Sequence, residues 1–525
     1  MLPNTHETDH SSKLLMQPIS LKIPYPLLGR LAFLILLGWS LFSGYPVGPY
    51  EADGPSIANG AYFIDQAISE STAELADVKE KGLIYRYDVQ AGTYQLIILA
   101  KKVLNVSYYT AFSILNSLFF LFFIVFTSLA IGRITQLPFY LAGIVLLLFP
   151  ELLIASGYPN SNILALGFFG VSIFLLTFKY YSSALVASAF LGLSIWCRFD
   201  AVLLTPSLAA LALHHHRNSH PYRFTALFSF GCLVSTLFLL FISSSSIVEV
   251  FNAVTSHGQV WTDKSLTLSN YVAFYPLVLL FLTAIGLFAV LKEKLLLIAL
   301  VIALGTIPIF ASYGWTVTTG KYFLYTTIPL TICISFGIKQ LNFINPIIKY
   351  LILTTIAFLF IYQYFPLSPF KPYHSIVWSH DGPRETIHLL AAPFKTHKEK
   401  WRKRNDFAKT TDHLIELGRD YTIQSIAPRD NHEISATLLC EFISRCHFNP
   451  IFYSNSPHGK VFLLNFNSHK IPFIAFYKGA ELPPLPSFVP NNQSIGLVYW
   501  TDWAPKIKGA SHQNQVYTEK SLSID

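Results

Sequence analysis

Two carboxylates one residue apart, Glu51 and Asp53, stand in the Pro/Gly-rich turn Tyr45-Pro46-Val47-Gly48-Pro49-Tyr50-Glu51-Ala52-Asp53-Gly54. Such a pair can take the proton of an acceptor hydroxyl or amine as general base, or hold a divalent cation on a phosphate or pyrophosphate group. Taken alone, an acid-x-acid pair is usually an ordinary solvated loop, so its setting decides. The turn follows the first hydrophobic span, where the chain leaves the bilayer, and that position favours chemistry on a membrane-borne substrate, with Asp53 as the first choice for the base. The same loop runs on through a helix-like stretch from Ser56 to Glu80. It closes on Tyr85-Arg86-Tyr87-Asp88 and Ala91-Gly92-Thr93-Tyr94, which makes Tyr50, Tyr85, Tyr87, Asp88 and Tyr94 candidates to line a substrate.

Arg86, Arg198 and Lys321 come from three distant segments, yet the topology below puts all three at the same face. A membrane-borne phosphate needs cations at headgroup depth, and arginine offers it a planar fork. Any one of the three alone reads as a side chain snorkelling to lipid phosphate; three on one face tilt the reading toward a lipid-phosphate site. Asp200, Tyr322 and, in a loop with Trp261, Asp263 and Lys264, His257 join them as lining candidates. His214, His215 and His216 look like metal ligands, but consecutive residues on a helix do not point together, and the run reads as an interfacial basic loop.

These residues hang on a very apolar chain. Of its 525 residues 52% are hydrophobic and only 13% charged, with a mean hydropathy of +0.45, which excludes an ordinary soluble globular protein and marks a multi-span membrane protein. The first span is Leu27 to Ser43, an uncleaved anchor rather than a signal peptide. Further apolar segments run over Tyr108 to Ile131, Leu137 to Ala155, Asn162 to Phe178, Ser182 to Trp196, Ala201 to Leu213, Phe224 to Ile242, Tyr271 to Leu291, Leu295 to Ala311, Tyr322 to Ile338 and Ile347 to Tyr364. That makes about eleven spans. With a cytoplasmic N-terminus, the inner loops carry Arg133, Lys179, Arg217, Arg223, Lys292, Lys294, Lys339 and Lys349, as the positive-inside rule requires. The formal charge of +8 is therefore largely topological and does not point to nucleic acid. Reading Ser182 to Leu213 as one helix would bury Arg198 and Asp200 in mid-membrane; two short spans bring Trp196 to Asp200 to the outer face.

The division expected is a cytoplasmic tail over 1–26, a transmembrane module over 27–365 with its first outer loop at 44–107, and an outer C-terminal domain over 366–525. In that last region Tyr421 to Ile426 and Lys460 to Lys478 suggest strands and Asp406 to Leu417 a helix, giving an α/β or α+β unit. Cys440 and Cys446 are close enough in sequence for a disulfide, with two free thiols an equal reading. No Walker motif, GxGxxG, HExxH or zinc-like Cys/His spacing occurs.

The acidic first outer loop, Glu51-Ala52-Asp53, followed by the aromatic-basic Arg86-Tyr87, resembles the GT-C superfamily of integral-membrane glycosyltransferases, in the branch of the lipid A aminoarabinose transferase and the protein O-mannosyltransferases. Arg198-Phe199-Asp200-Ala201 with Pro206, and Lys321-Tyr322 with Pro329, are similar to two further elements of that family. The resemblance covers about residues 27 to 340 and rests on motif order. A proline element and a carrier-phosphate lysine of the family have no counterpart at Val89-Gln90-Ala91. The resemblance implies a GT-C-like helical fold and transfer of a hexose or pentose from a polyprenyl-phosphate donor to a glycan, lipid or protein acceptor. That transfer would take place on the periplasmic face of a bacterial inner membrane, or on the luminal face in a eukaryote, with inversion at the anomeric carbon. Asp53 would be the base, Glu51 its partner or a metal ligand, and Arg86, Arg198 and Lys321 the phosphate site. A transporter or flippase of a lipid-linked anion is the alternative; it would want inverted repeats, and none is visible.

Overall fold

The computed structural model describes residues 25–44, 53–70, 87–149, 159–218, 220–243, 277–291, 293–306 and 323–341, isolated positions within 152–156, 245–252 and 351–355, and strands within 374–520. Helices α1 (Tyr25–Gly44) and α2 (Asp53–Glu70) flank the acidic turn. Next come α3 (Tyr87–Leu104), α4 (Tyr108–Thr135), α5 (Phe139–Leu147), α6 (Ser161–Leu176) and α7 (Tyr181–Cys197). A 3-10 turn, Phe199–Leu204, leads into α8 (Thr205–His215), and α9 (Pro221–Ile242), α10 (Leu277–Val290) and α11 (Lys294–Gly305) follow. A second 3-10 turn, Phe323–Thr326, opens α12 (Thr327–Leu341).

Two of these helices, α4 and α9, are long and apolar enough to cross a membrane, and several shorter ones are as apolar. The outside of α9 decides the environment. Phe230, Leu233, Phe238 and Phe241 are exposed there, Phe241 to 82%, and so contiguous an apolar face belongs in lipid rather than water. The protein is an integral membrane protein built mainly of α-helices.

Two expectations change. The helix of the first loop starts three residues earlier than Ser56, at Asp53 itself. In the segment read as a span from Leu137 to Ala155, helix α5 covers nine residues and stops ahead of Pro150, because a proline pushes the residue before it out of the α region, and Leu152 and Ala155 beyond it are helical again. The division of Ser182 to Leu213 stands: Arg198 is extended at φ −157°, ψ 112°, between α7 and the 3-10 turn.

Helices α10 and α12 cross at backbone contact. A Cβ on Gly286 would lie 1.8 Å from the Cys333 carbonyl oxygen, and one on Gly337 would lie 2.5 Å from that of Leu282, the small-residue packing that membrane helices use in place of a hydrophobic driving force. Gly286→Ala is therefore expected to prise the pair apart at about 1–3 kcal/mol and to lower the unfolding temperature in detergent. An unchanged unfolding temperature would show that the crossing gives way freely.

The loops assigned to one side by charge do meet. Arg133 bonds the Thr177 hydroxyl at 3.1 Å and covers the Phe174 and Phe178 rings, Arg217 pairs with Glu293, and Lys339 bonds the Thr135 carbonyl at 3.2 Å. The histidine run lies at this end too, but it is not an exposed loop. His215 Nε2 donates to the Thr177 carbonyl at 2.8 Å and His216 Nε2 to that of Leu176 at 3.1 Å, tying off the C-terminus of α6. His216 is buried, stacked on Phe224 at 3.5 Å, and its Nδ1 has no partner.

Burial holds the His216 imidazole below its ordinary pKa, the Leu176 carbonyl opposing and His215 and Lys179 adding to the shift. A lowered folded pKa means that the unfolded chain binds the proton more readily. The stabilisation is thus complete above the ordinary value of about 6.5 and is lost as pH falls below it. The unfolding temperature in detergent is expected to drop between about pH 7 and pH 5, and less so in His216→Gln. An identical slope in the variant would clear His216 as the cause.

Strands β1 (His374–Ser379) and β2 (Gly382–Ile387) form a tight antiparallel hairpin. Strands β3 (Tyr421–Ile426), β4 (Asn449–Ser456), β5 (Gly459–Asn465), β6 (Ile471–Tyr477), β7 (Gly496–Thr501), β8 (Ala504–Ala510) and β9 (Tyr517–Lys520) build a seven-stranded mixed sheet in the order β4-β5-β3-β6-β7-β8-β9. Its centre, β3-β6-β7, is parallel, and hairpin-linked antiparallel strands flank it on both sides. The runs IPFIAFY and GLVYWT carry the β-branched and aromatic residues that such strands favour. The helix expected over Asp406 to Leu417 and the pair Cys440 and Cys446 lie outside the described residues.

Candidate functional site

At the end of the bundle opposite the basic loops, the N-terminus of α6 is the meeting point. Asn160 is its N-cap, its side chain accepting from the Ile163 N–H at 3.1 Å, while its own N–H donates to Asn116 Oδ1 at 3.2 Å. The capped terminus leaves a positive dipole end facing this side of the protein.

Two of the segments singled out by sequence dock on it. Arg198 Nη1 donates to Ser161 Oγ at 3.2 Å, and Arg198 Nε is paired with Asp200 at 2.8 Å. Both charged side chains are largely buried, 10% and 14% exposed, so each supplies the charge that the other needs inside the protein. Asp200, one of the lining candidates, holds the guanidinium through this pair. Gly54, the residue after Asp53, abuts the Pro159 carbonyl. A Cβ there would stand 3.1 Å from that oxygen and 3.4 Å from the Tyr109 ring, so glycine lets the start of α2 close onto the turn before α6. A third segment arrives through the turn before α12: Tyr325, fully buried, lies within electrostatic reach of Asp200, Arg198 and Cys197. Tyr325 follows Lys321 by four residues.

The loop helices form a wall beside this centre. Tyr87 stacks on Tyr94 with ring centres 5.8 Å apart, and its hydroxyl donates to the Ser243 carbonyl at 2.8 Å. Burial pushes the Tyr87 phenol up, Gln95 opposing and Asp88 adding, so the donor proton is retained. Tyr94 is fully buried and packs against Gly60. Gly92 admits Trp196, which a Cβ would meet at 2.6 Å, and Thr93 Oγ1 donates to the Cys197 carbonyl at 2.9 Å. A kink at Gln90 interrupts α3 at this level.

Asp65, on α2, was not singled out by its sequence. It is buried, accepts from the Tyr108 hydroxyl at 2.8 Å and pairs with Lys102 at 2.7 Å. It lies twelve residues beyond Asp53, about 18 Å along the helix, and pins α2 to α3 and to the first residue of α4. Asp53 begins α2. Glu51, Tyr50, Tyr85, Arg86, His257, Lys321 and Tyr322 lie outside the described residues. No group of three or more His, Cys, Asp or Glu gathers among the described residues.

No family model and no curated protein matches the chain. Two of the solved structures similar to it are of one protein. One is ArnT from Cupriavidus metallidurans bound to undecaprenyl phosphate, at 16% identity and a TM-score of 0.44 over 64% of this chain and 63% of that one. The other is the same protein in the apo state, at 14% identity and a TM-score of 0.46 with the same coverage. The chain thus spans just under two thirds of the length of the solved structures it matches.

Proposed function

We propose that the chain is a GT-C-type glycosyltransferase that moves a sugar from a polyprenyl-phosphate donor to an acceptor hydroxyl or amine at the membrane face where α6 begins. One observation carries the reading: the start of α2 and the Arg198–Asp200 pair, distant in sequence, both meet the N-terminus of α6, through Gly54 on the Pro159 carbonyl and Arg198 on Ser161. A dipole end with an arginine beside it suits a phosphate, and α2, which begins at Asp53, starts against the same turn.

In this mechanism Asp53 takes the proton of the acceptor as its oxygen or nitrogen attacks the anomeric carbon. The bond from that carbon to the phosphate oxygen breaks, and the inverted glycoside and free polyprenyl phosphate result. Negative charge grows on the departing phosphate, where Arg198, with Arg86 and Lys321, stabilises it. Glu51 orients the acceptor or shares a divalent ion with Asp53; transfer in the presence and absence of EDTA separates these two roles. The face is periplasmic in a bacterium.

The test is turnover by the purified protein of a panel of undecaprenyl-phosphate-linked sugars. Consumption of one donor with release of undecaprenyl phosphate is the expected result. Neither binding nor consumption of any donor overturns the reading.

A further inference from the structure

Asn162, the second residue of α6, is 1% exposed and its Oδ1 has no hydrogen-bond partner. A buried amide oxygen left unpaired is destabilising, and its neighbours are both occupied: Asn160 caps the helix and Ser161 accepts from Arg198. Asn162 lies on another face of α6. The residues seven and eleven further on are Phe169 and Ile173, which line an apolar cavity with Leu204, Leu208, Ile328 and Ile332, and positions so spaced share one helix face. Asn162 therefore heads the cavity-lining stripe, about 10 Å above Phe169, level with the Arg198–Ser161 bond. Tyr325 bears the same relation to Ile328 on the facing wall, three residues ahead of it.

The orphaned oxygen specifies its ligand. An anion suits the dipole end and Arg198, but a hydrogen-bond acceptor wants a neutral donor such as a hydroxyl. Both needs are met by one molecule that carries a phosphate and a hydroxyl group on adjoining units. Resting on the transferase reading, we propose that Asn162 reads the sugar of the donor: its amide accepts a hydrogen bond from a sugar hydroxyl while the phosphate lies toward Arg198. A site built to bond a hydroxyl discriminates against ligands that lack it, since the buried amide is then left unpaired.

The experiment compares wild type with Asn162→Leu, each as the full chain in detergent, by thermal unfolding and binding with undecaprenyl phosphate and with undecaprenyl-phosphate-linked sugars. Without ligand the variant is expected to unfold at the same temperature or higher, because the unpaired amide is gone. Undecaprenyl phosphate should stabilise both proteins equally. The sugar-bearing lipid should bind wild type about tenfold more tightly than the variant, the loss of one hydrogen bond. Equal binding of the sugar-bearing lipid by both proteins overturns the assignment and leaves the transferase reading standing. Failure of either lipid to bind wild type removes the transferase reading and this assignment with it. If the leucine does not fit, Asn162→Ala removes the amide without added bulk and is read in the same way.

Discussion

Asp53→Asn is expected to cut sugar transfer by about 10²- to 10⁴-fold, the usual contribution of a positioned general base, while leaving the protein as stable as before. The second half of that statement gives the variant its power. Asp53 is the first residue of α2, and asparagine has nearly the same size and helix propensity there. The helix therefore keeps its beginning, and Gly54 keeps its seat on the Pro159 carbonyl. Transfer rates with a consumed donor, normalised to folded protein and set beside the unfolding temperature, decide the matter. Full transfer by the variant would take the role of base from Asp53, and a matching loss in Glu51→Gln would then hand it to the other acid.

Arg198→Ala is expected to be damaging twice over. It strands the Asp200 carboxylate, which is only 14% exposed, and breaking a buried pair from one side costs about 3–5 kcal/mol. It also removes the cation beside the α6 terminus, so binding of undecaprenyl phosphate and transfer should fall together. The two effects separate in the double variant Arg198→Met with Asp200→Leu. Replacing both partners with apolar groups should recover most of the stability, while phosphate binding and transfer stay lost. Recovery of binding along with stability would show that Arg198 serves the fold alone. Arg198→Lys keeps the charge but cannot serve Asp200 and Ser161 through one rigid fork, and should fall between wild type and alanine.

The parts of this site that were legible in the sequence were those that violate their surroundings. Arg198 and Asp200 stood out because charge is rare in an apolar run, and the cost of burying them was reason enough to break Ser182–Leu213 in two. Asp53 stood out by its place after a span. Charge bias grouped Arg133, Lys179, Arg217 and Lys339 on one side, and the bonds of Arg133, Arg217 and Lys339 join their loops at one end. Pro159, Asn160, Ser161 and Asn162 were silent because a polar run before a hydrophobic segment is the ordinary signature of a helix start. Only the fold reveals that this start is shared by two distant segments. Asp65 was silent for a related reason: its partners Tyr108 and Lys102 lie across a helix packing that no local pattern encodes. His216 was misread because three adjacent histidines look like exposed polarity, whereas the last of them packs on Phe224.

The glycine crossing of α10 and α12 sets a timetable for biosynthesis. Helices α1 to α9 are all made before either partner of the crossing, and α4, α6, α7 and α9 pack on one another without it. The turn that delivers Tyr325 to Arg198 and Asp200 can be seated only when α12 has left the ribosome and closed onto α10 and α4, the last contact sealed by Lys339 on the Thr135 carbonyl. A nascent chain thus carries Gly54 on the Pro159 carbonyl and the Arg198–Asp200 pair for some time before the Tyr325 turn is made.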